Sequence, residues 1–210
     1  MSRFNNSLKR LQALDRESSL APLFYAFILL GLLAYVVPWV HNPGQALTLG
    51  AYDLAEWLSL HPGVRFQSPP MLASALIRLH LVLLAGLIVL WVPRRLWAWT
   101  LGFVVLLVLA QLPPAEIVSQ SGDMNYQQQL GLAVLTLILC GGLAVWSRRT
   151  LATLILAMVG IGVCVWGVIQ ARGFMQVFHL PAWVGLGAPL LTLVYLAMIG
   201  VIWGRMPSGE

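Results

Sequence analysis

Apolar residues run almost unbroken through six stretches of the chain, and nearly every charge falls in the gaps between them. The stretches are residues 23–40, 71–92, 96–112, 130–146, 151–171 and 182–203. A membrane-spanning helix needs about 20 mostly apolar residues, and ~17 can suffice. The pattern therefore predicts an all-α, polytopic membrane bundle of six transmembrane helices, contained in one domain over residues 21–205.

Two amphipathic segments flank this pattern. Before the first stretch, Phe4, Leu8, Leu11 and Leu14 recur at helical spacing among Arg3, Lys9, Arg10 and Arg16. That suits a basic helix over residues 1–20 lying on the cytoplasmic surface. In the long gap from His41 to Pro70, Leu47, Ala51, Leu54 and Leu58 share one helical face, with Asp53 and Glu56 on another. This predicts an interfacial helix on the outer leaflet, ended by His61-Pro62-Gly63. Residues 206–210 form a short tail.

Charge sets the direction of the path. Arg3, Lys9, Arg10, Arg16, Arg94, Arg95, Arg148, Arg149 and Arg205 all fall on one side of a six-crossing path. Only Arg65 and Arg172 fall on the other side, with Arg78 inside the second stretch. Cytoplasmic loops carry the excess of Lys and Arg, so both termini are expected in the cytoplasm. The expected location is a cell membrane of bacterial type. The first 20 residues lack the apolar core of a cleavable signal, which makes the first stretch an uncleaved anchor.

Composition agrees: 60% of residues are hydrophobic and 9% charged, with a mean hydropathy of +0.85. The net charge of +5 reflects this loop bias, so nucleic acid is not an expected partner. Membrane lipid and other membrane subunits are. Tryptophans at the stretch ends, including Trp39, Trp57, Trp91, Trp97, Trp99, Trp146, Trp183 and Trp203, are expected as interfacial anchors. The similarity between Trp91–Leu96 and Trp146–Leu151 is read as convergent anchoring of two cytoplasmic turns. Cys140 and Cys164 fall at depths differing by roughly 10 Å along a hairpin. That is too far for a disulfide, so both are expected to be packing residues.

Chemistry-bearing residues are few. Arg78 lies seven positions into the second stretch, where an unpartnered arginine costs a few kcal/mol. Glu116, Asp123, Asp53 and Glu56 are its candidate outer partners. Ser74, Ala75, Val82 and Ala85 share its side of the helix and suit a bundle interior. His80 points about 200° away and reads as a packing residue. His41, His61 and His179 lie at the outer boundary without paired ligand spacing, so no metal or cofactor is expected. In the sixth stretch, Gly185, Gly187 and Pro189 suggest a kink or local unwinding. Gly160, Gly162 and Gly167 suit close helix packing, and Gly200 with Gly204 forms one GxxxG pair.

Nucleophile elbows, zinc-protease motifs and phosphate-binding glycine loops are missing from the sequence. The pattern favours a non-catalytic subunit of a membrane complex, docking partners through its helices and outer loops. The alternative is a transport component binding a solute or lipid near Arg78 and the Gly185–Pro189 break. A membrane enzyme acting on lipid-linked substrates ranks third.

Overall fold

The computed structural model describes residues 20–42, 47–66, 68–113, 122–146, 148–177, 179–180 and 182–205. The amphipathic segment before the first helix, the short tail and Glu116 lie outside them. Eight α-helices run through the described residues: α1 (Ala21–Val36), α2 (Ala51–Leu60), α3 (Pro62–Arg65), α4 (Leu72–Trp91), α5 (Trp97–Leu109), α6 (Met124–Val145), α7 (Arg149–Val177) and α8 (Gly187–Gly204). Four of them, α4, α6, α7 and α8, are long and apolar enough to cross a membrane, which makes the chain compatible with a membrane protein. The other two apolar helices are shorter: α1 has 16 residues and α5 has 13.

The helix bounds differ from the apolar stretches because hydropathy marks what tolerates lipid, whereas a helix extends as far as its backbone is bonded. Helix α6 begins at Met124, so Asn125 and Gln127–Gln129 form its first turns and not a loop. Asp123 starts it, its carboxylate accepting the Asn125 N–H at 2.7 Å, an ordinary N-cap. Helix α7 has 29 residues and is about 44 Å long, well beyond a ~30 Å hydrocarbon core.

Helix α4 is the axis of the bundle. It packs against α1, α2, α5, α6 and α7, while α8 closes the far side against α1 and α7. Its sequence explains the position: from Leu81 to Trp91 every residue is buried, so no side of that half is polar. At one end, Trp91 ties three helices together. Its ring stacks on Phe24 with centroids 3.9 Å apart, its Nε1 donates to Thr153 at 2.9 Å, and its carbonyl accepts from Tyr25.

At the opposite end three short strands form an antiparallel sheet, β1 (Val40–Asn42), β2 (Leu47–Leu49) and β3 (Trp183–Val184), in the order β2-β1-β3. Val40 is paired with both Leu49 and Val184. These residues read as span ends or as helix in the sequence. Strands of two or three residues carry little local signal and exist through long-range pairing.

Three expectations change here. Helix α2 exists, but its apolar face, Ala51, Leu54, Ala55 and Leu58, is buried chiefly against α4, not lying in lipid. Periodicity reveals that a helix has an apolar side without saying what covers it. Gly185–Pro189 is not a break within a helix, because α8 starts only at Gly187. Pro189 sits in its first turn, where a missing N–H leaves no intrahelical bond unmade. Gly185 and Gly187 donate backbone N–H groups to Trp39 and Pro38 at 2.8 Å each. A Cβ on Gly185 would meet the Pro38 carbonyl, and one on Gly187 the Trp39 ring and the Val37 carbonyl. Close approach to the Val37–Trp39 segment that joins α1 to β1 therefore requires glycine there. Finally, Trp39 and Trp91 are core residues, 1% and 5% exposed, whereas Trp97, Trp99, Trp146, Trp183 and Trp203 are exposed. Position along the chain does not say which way a ring faces.

Candidate functional site

The polar residues of the sheet end converge on Arg78. Its side chain is buried on α4, and its guanidinium makes three charge-assisted bonds. Nη2 donates to Glu56 Oε1 of α2 at 2.7 Å. Nη1 donates to Asn125 Oδ1 at 2.7 Å and to Gln128 Oε1 at 2.9 Å, both on α6. Gln129 of α6 donates to the same Glu56 oxygen at 2.8 Å, and Gln128 donates onward to the Met71 carbonyl at 3.0 Å. Ser74 Oγ lies 2.9 Å from that carbonyl and 3.0 Å from Gln128 Oε1, and its single proton serves one of them.

Each element presents these groups for a local reason. Ser74 and Arg78 are four residues apart and share a face of α4. Asn125, Gln128 and Gln129 stand at i, i+3 and i+4 on the first turns of α6. Glu56 lies on the side of α2 turned to α4, while Asp53 is exposed. Met71 precedes α4 in the left-handed region, at φ 53°, with its side chain buried and its N–H bonded to Val64 at 3.0 Å. A methionine takes that conformation only when its surroundings hold it.

A second pair stands beside the first. Arg65, at the end of α3, donates to Asp123 at 2.9 Å and to the Ser59 carbonyl of α2 at 2.9 Å. Burial alone pushes the Asp123 carboxyl up, but the Asn125 N–H and Arg65 outweigh it and hold the group below the ordinary carboxylate range. At Tyr52 on α2, burial and then the Glu56 charge push the phenol up.

Chemically this assembly neutralises a buried cation and fastens α2 to α4 and α6. A carboxylate and two neutral amide oxygens stabilise the guanidinium well. Of the sequence candidates, Arg78 is joined to Glu56. Asp123 pairs instead with Arg65, Asp53 is exposed, and Glu116 lies outside the described residues. Gly185 follows β3 directly and Gly187 and Pro189 lie in the first turn of α8, where the glycines meet Pro38 and Trp39. Asn125, Gln128 and Gln129 fall in the polar gap between the third and fourth apolar stretches, where hydropathy does not single them out. Their spacing behind Asp123 was the available signal.

His80 is fully buried, its Nδ1 3.2 Å from the Tyr195 hydroxyl and its ring 5.5 Å from Trp39. Tyr195 fits because Gly160 of α7 faces it; a Cβ there would come within 2.6 Å of the ring. Cys140 and Cys164 are buried free thiols. Among the described residues no three His, Cys, Asp or Glu side chains come together to hold a metal ion. The chain matches no family model, no curated protein and no solved structure, so its own residues carry the functional reading.

Proposed function

We propose that this chain is a non-catalytic subunit of a multi-protein membrane complex, crossing a bacterial cell membrane six times with both termini in the cytoplasm. Helices α1 and α5 complete the six crossings; α1 is about 24 Å long and leads into the β1 strand, and α5 is extended by the turn that precedes it. The arginine-bearing turns then face the cytoplasm.

One observation carries the subunit reading. Gly200 and Gly204, one turn apart on α8, are exposed, and a Cβ on either would touch nothing within 4 Å. Small residues one turn apart on an outward face let a second helix approach closely, and within a bilayer that packing drives helix association. The bonding of Arg78 points the same way. A guanidinium held by Glu56, Asn125 and Gln128 is less available to a transported solute, so the transport reading has the weaker support.

Gentle extraction from native membranes tests the proposal. A defined set of other membrane proteins at constant stoichiometry is expected to accompany the chain, and Gly200→Leu with Gly204→Leu is expected to release them. Isolation of the chain alone with a bound polar solute would overturn it.

A further inference from the structure

The end of the bundle away from the sheet holds a groove of a different kind. Helices α1 and α5 both pack on α4 but scarcely on each other, which leaves a cleft of about 290 Å³ between them. Ile28, Leu29 and Leu32 form one wall, Ile88 and Val92 the floor, and Phe103 stands on the opposite wall. Of its ten lining residues only Tyr25, Trp99 and Thr100 carry a polar side-chain atom. The Tyr25 hydroxyl already donates to the Trp91 carbonyl, and the Thr100 hydroxyl to the Leu96 carbonyl at 3.1 Å. A polar solute would find almost no bonding partner here. A hydrocarbon chain would bury itself against Leu29 and Phe103, now 65% and 42% exposed.

Two arginines lie near one end of the groove. Arg95 is exposed and adjoins Leu96, which lines the groove. Arg149 connects to it through bonded groups: its carbonyl accepts from Thr153, Thr153 accepts from Trp91 Nε1, and the Trp91 carbonyl accepts from Tyr25. Both arginines act electrostatically on the Tyr25 hydroxyl. The acidic groups of the described residues, Asp53, Glu56 and Asp123, are at the sheet end of the molecule. A single apolar slot with two cations near one end matches an amphiphile that joins a hydrocarbon chain to an anion.

We infer that the α1–α5 groove binds one acyl chain of an anionic phospholipid of the cytoplasmic leaflet, with its phosphate held between Arg95 and Arg149. Basic pockets between helices on the cytoplasmic side suit such headgroups, since that leaflet carries the anionic lipid. At this volume the cleft accommodates part of one chain, near the lower limit of small-molecule pockets. The inference rests on the membrane reading above and is independent of whether the chain has protein partners.

Native mass spectrometry of the full-length protein, purified in detergent with equal phosphatidylglycerol and phosphatidylcholine, tests it. The wild type is expected to retain one phosphatidylglycerol in preference to phosphatidylcholine, roughly fivefold or more for each arginine engaged. Arg95→Gln with Arg149→Gln should reduce the preference to near parity. Leu29→Trp, which fills the slot and leaves both arginines, should abolish retention of either lipid. Equal retention of the two lipids by the wild type would overturn the inference without any variant. A preference that survives the arginine substitutions, a lipid that survives Leu29→Trp, or a lipid-free dimer with the groove covered would do the same. Carbonate extraction separates the two readings. A chain released from membranes by carbonate sinks the membrane reading itself, whereas a carbonate-resistant chain without lipid preference sinks the groove alone.

Discussion

The two ends of this molecule handle arginine in opposite ways. At the sheet end Arg78 is buried and bonded to a carboxylate and two amides, and Arg65 is paired with Asp123. At the other end, which also holds an apolar groove, Arg95 and Arg148 are exposed and Arg149 is half-buried. A buried cation must be matched within the fold, because an uncompensated charge there costs several kcal/mol. A peripheral cation keeps its hydration or a lipid phosphate, and the fold hardly depends on it. The sheet end is thus a structural clasp, whereas the arginine-tipped end carries its charges on the outside of the fold.

The largest effect expected from that contrast is at Glu56. Glu56→Ala leaves Arg78 without its carboxylate and should lower unfolding stability in detergent by about 3 kcal/mol. Arg78→Met combined with Glu56→Gln should cost less than Glu56→Ala alone, since no charge is then stranded. A double variant as unstable as the sum of its parts would break the picture of a compensated pair.

Gly187→Ala tests the join between the sheet and α8. The added methyl meets the Trp39 ring and the Val37 carbonyl, and backbone cannot yield cheaply. A loss of about 2 kcal/mol is expected in thermal or denaturant unfolding. A neutral outcome would mean that the Val37–Trp39 segment and α8 are less tightly joined than the Gly187–Pro38 hydrogen bond implies.

Acid should loosen the second pair. Asp123 has a depressed carboxyl in the folded chain, so its contribution is complete above the ordinary carboxylate value. That contribution is lost as the pH falls below about 4, through the folded value. Asp123→Ala should remove about 1 kcal/mol at neutral pH through the lost cap and a partly exposed ion pair, and should flatten this acid dependence. Unfolding midpoints between pH 3 and 7 measure both effects.

The smallest effect belongs to the opposite end. Arg95→Gln with Arg149→Gln should leave unfolding in neutral detergent within ~0.5 kcal/mol of wild type. A large loss would show that these arginines hold the fold together and would erase the difference between the ends.

How much was legible in advance follows the range of the forces involved. Arg78 stood out because a charge within an apolar stretch is costly wherever its partner lies, and Glu56 was among the partners considered. Asn125, Gln128 and Gln129 were hidden because polar residues at a stretch boundary look alike in loop and helix until the helix is seen to start at Asp123. Gly185 and Gly187 suggest a kink from sequence, but the structure gives them another cause. Glycine reports that something comes close, and here it is the Val37–Trp39 segment leading into β1, not a bend in a helix.

By itself the sequence determined an all-α chain dominated by apolar helices with arginine-bearing turns, because hydropathy, helical period and charge placement are local properties. The tertiary structure decided the rest: that α4 is the axis, that α2 turns its apolar face inward, that Trp39 and Trp91 belong to the core, and that one end is clasped while the other holds an open groove. Each of these depends on which distant residues meet. Burial and pairing are properties of such contacts, and no single stretch of sequence contains them.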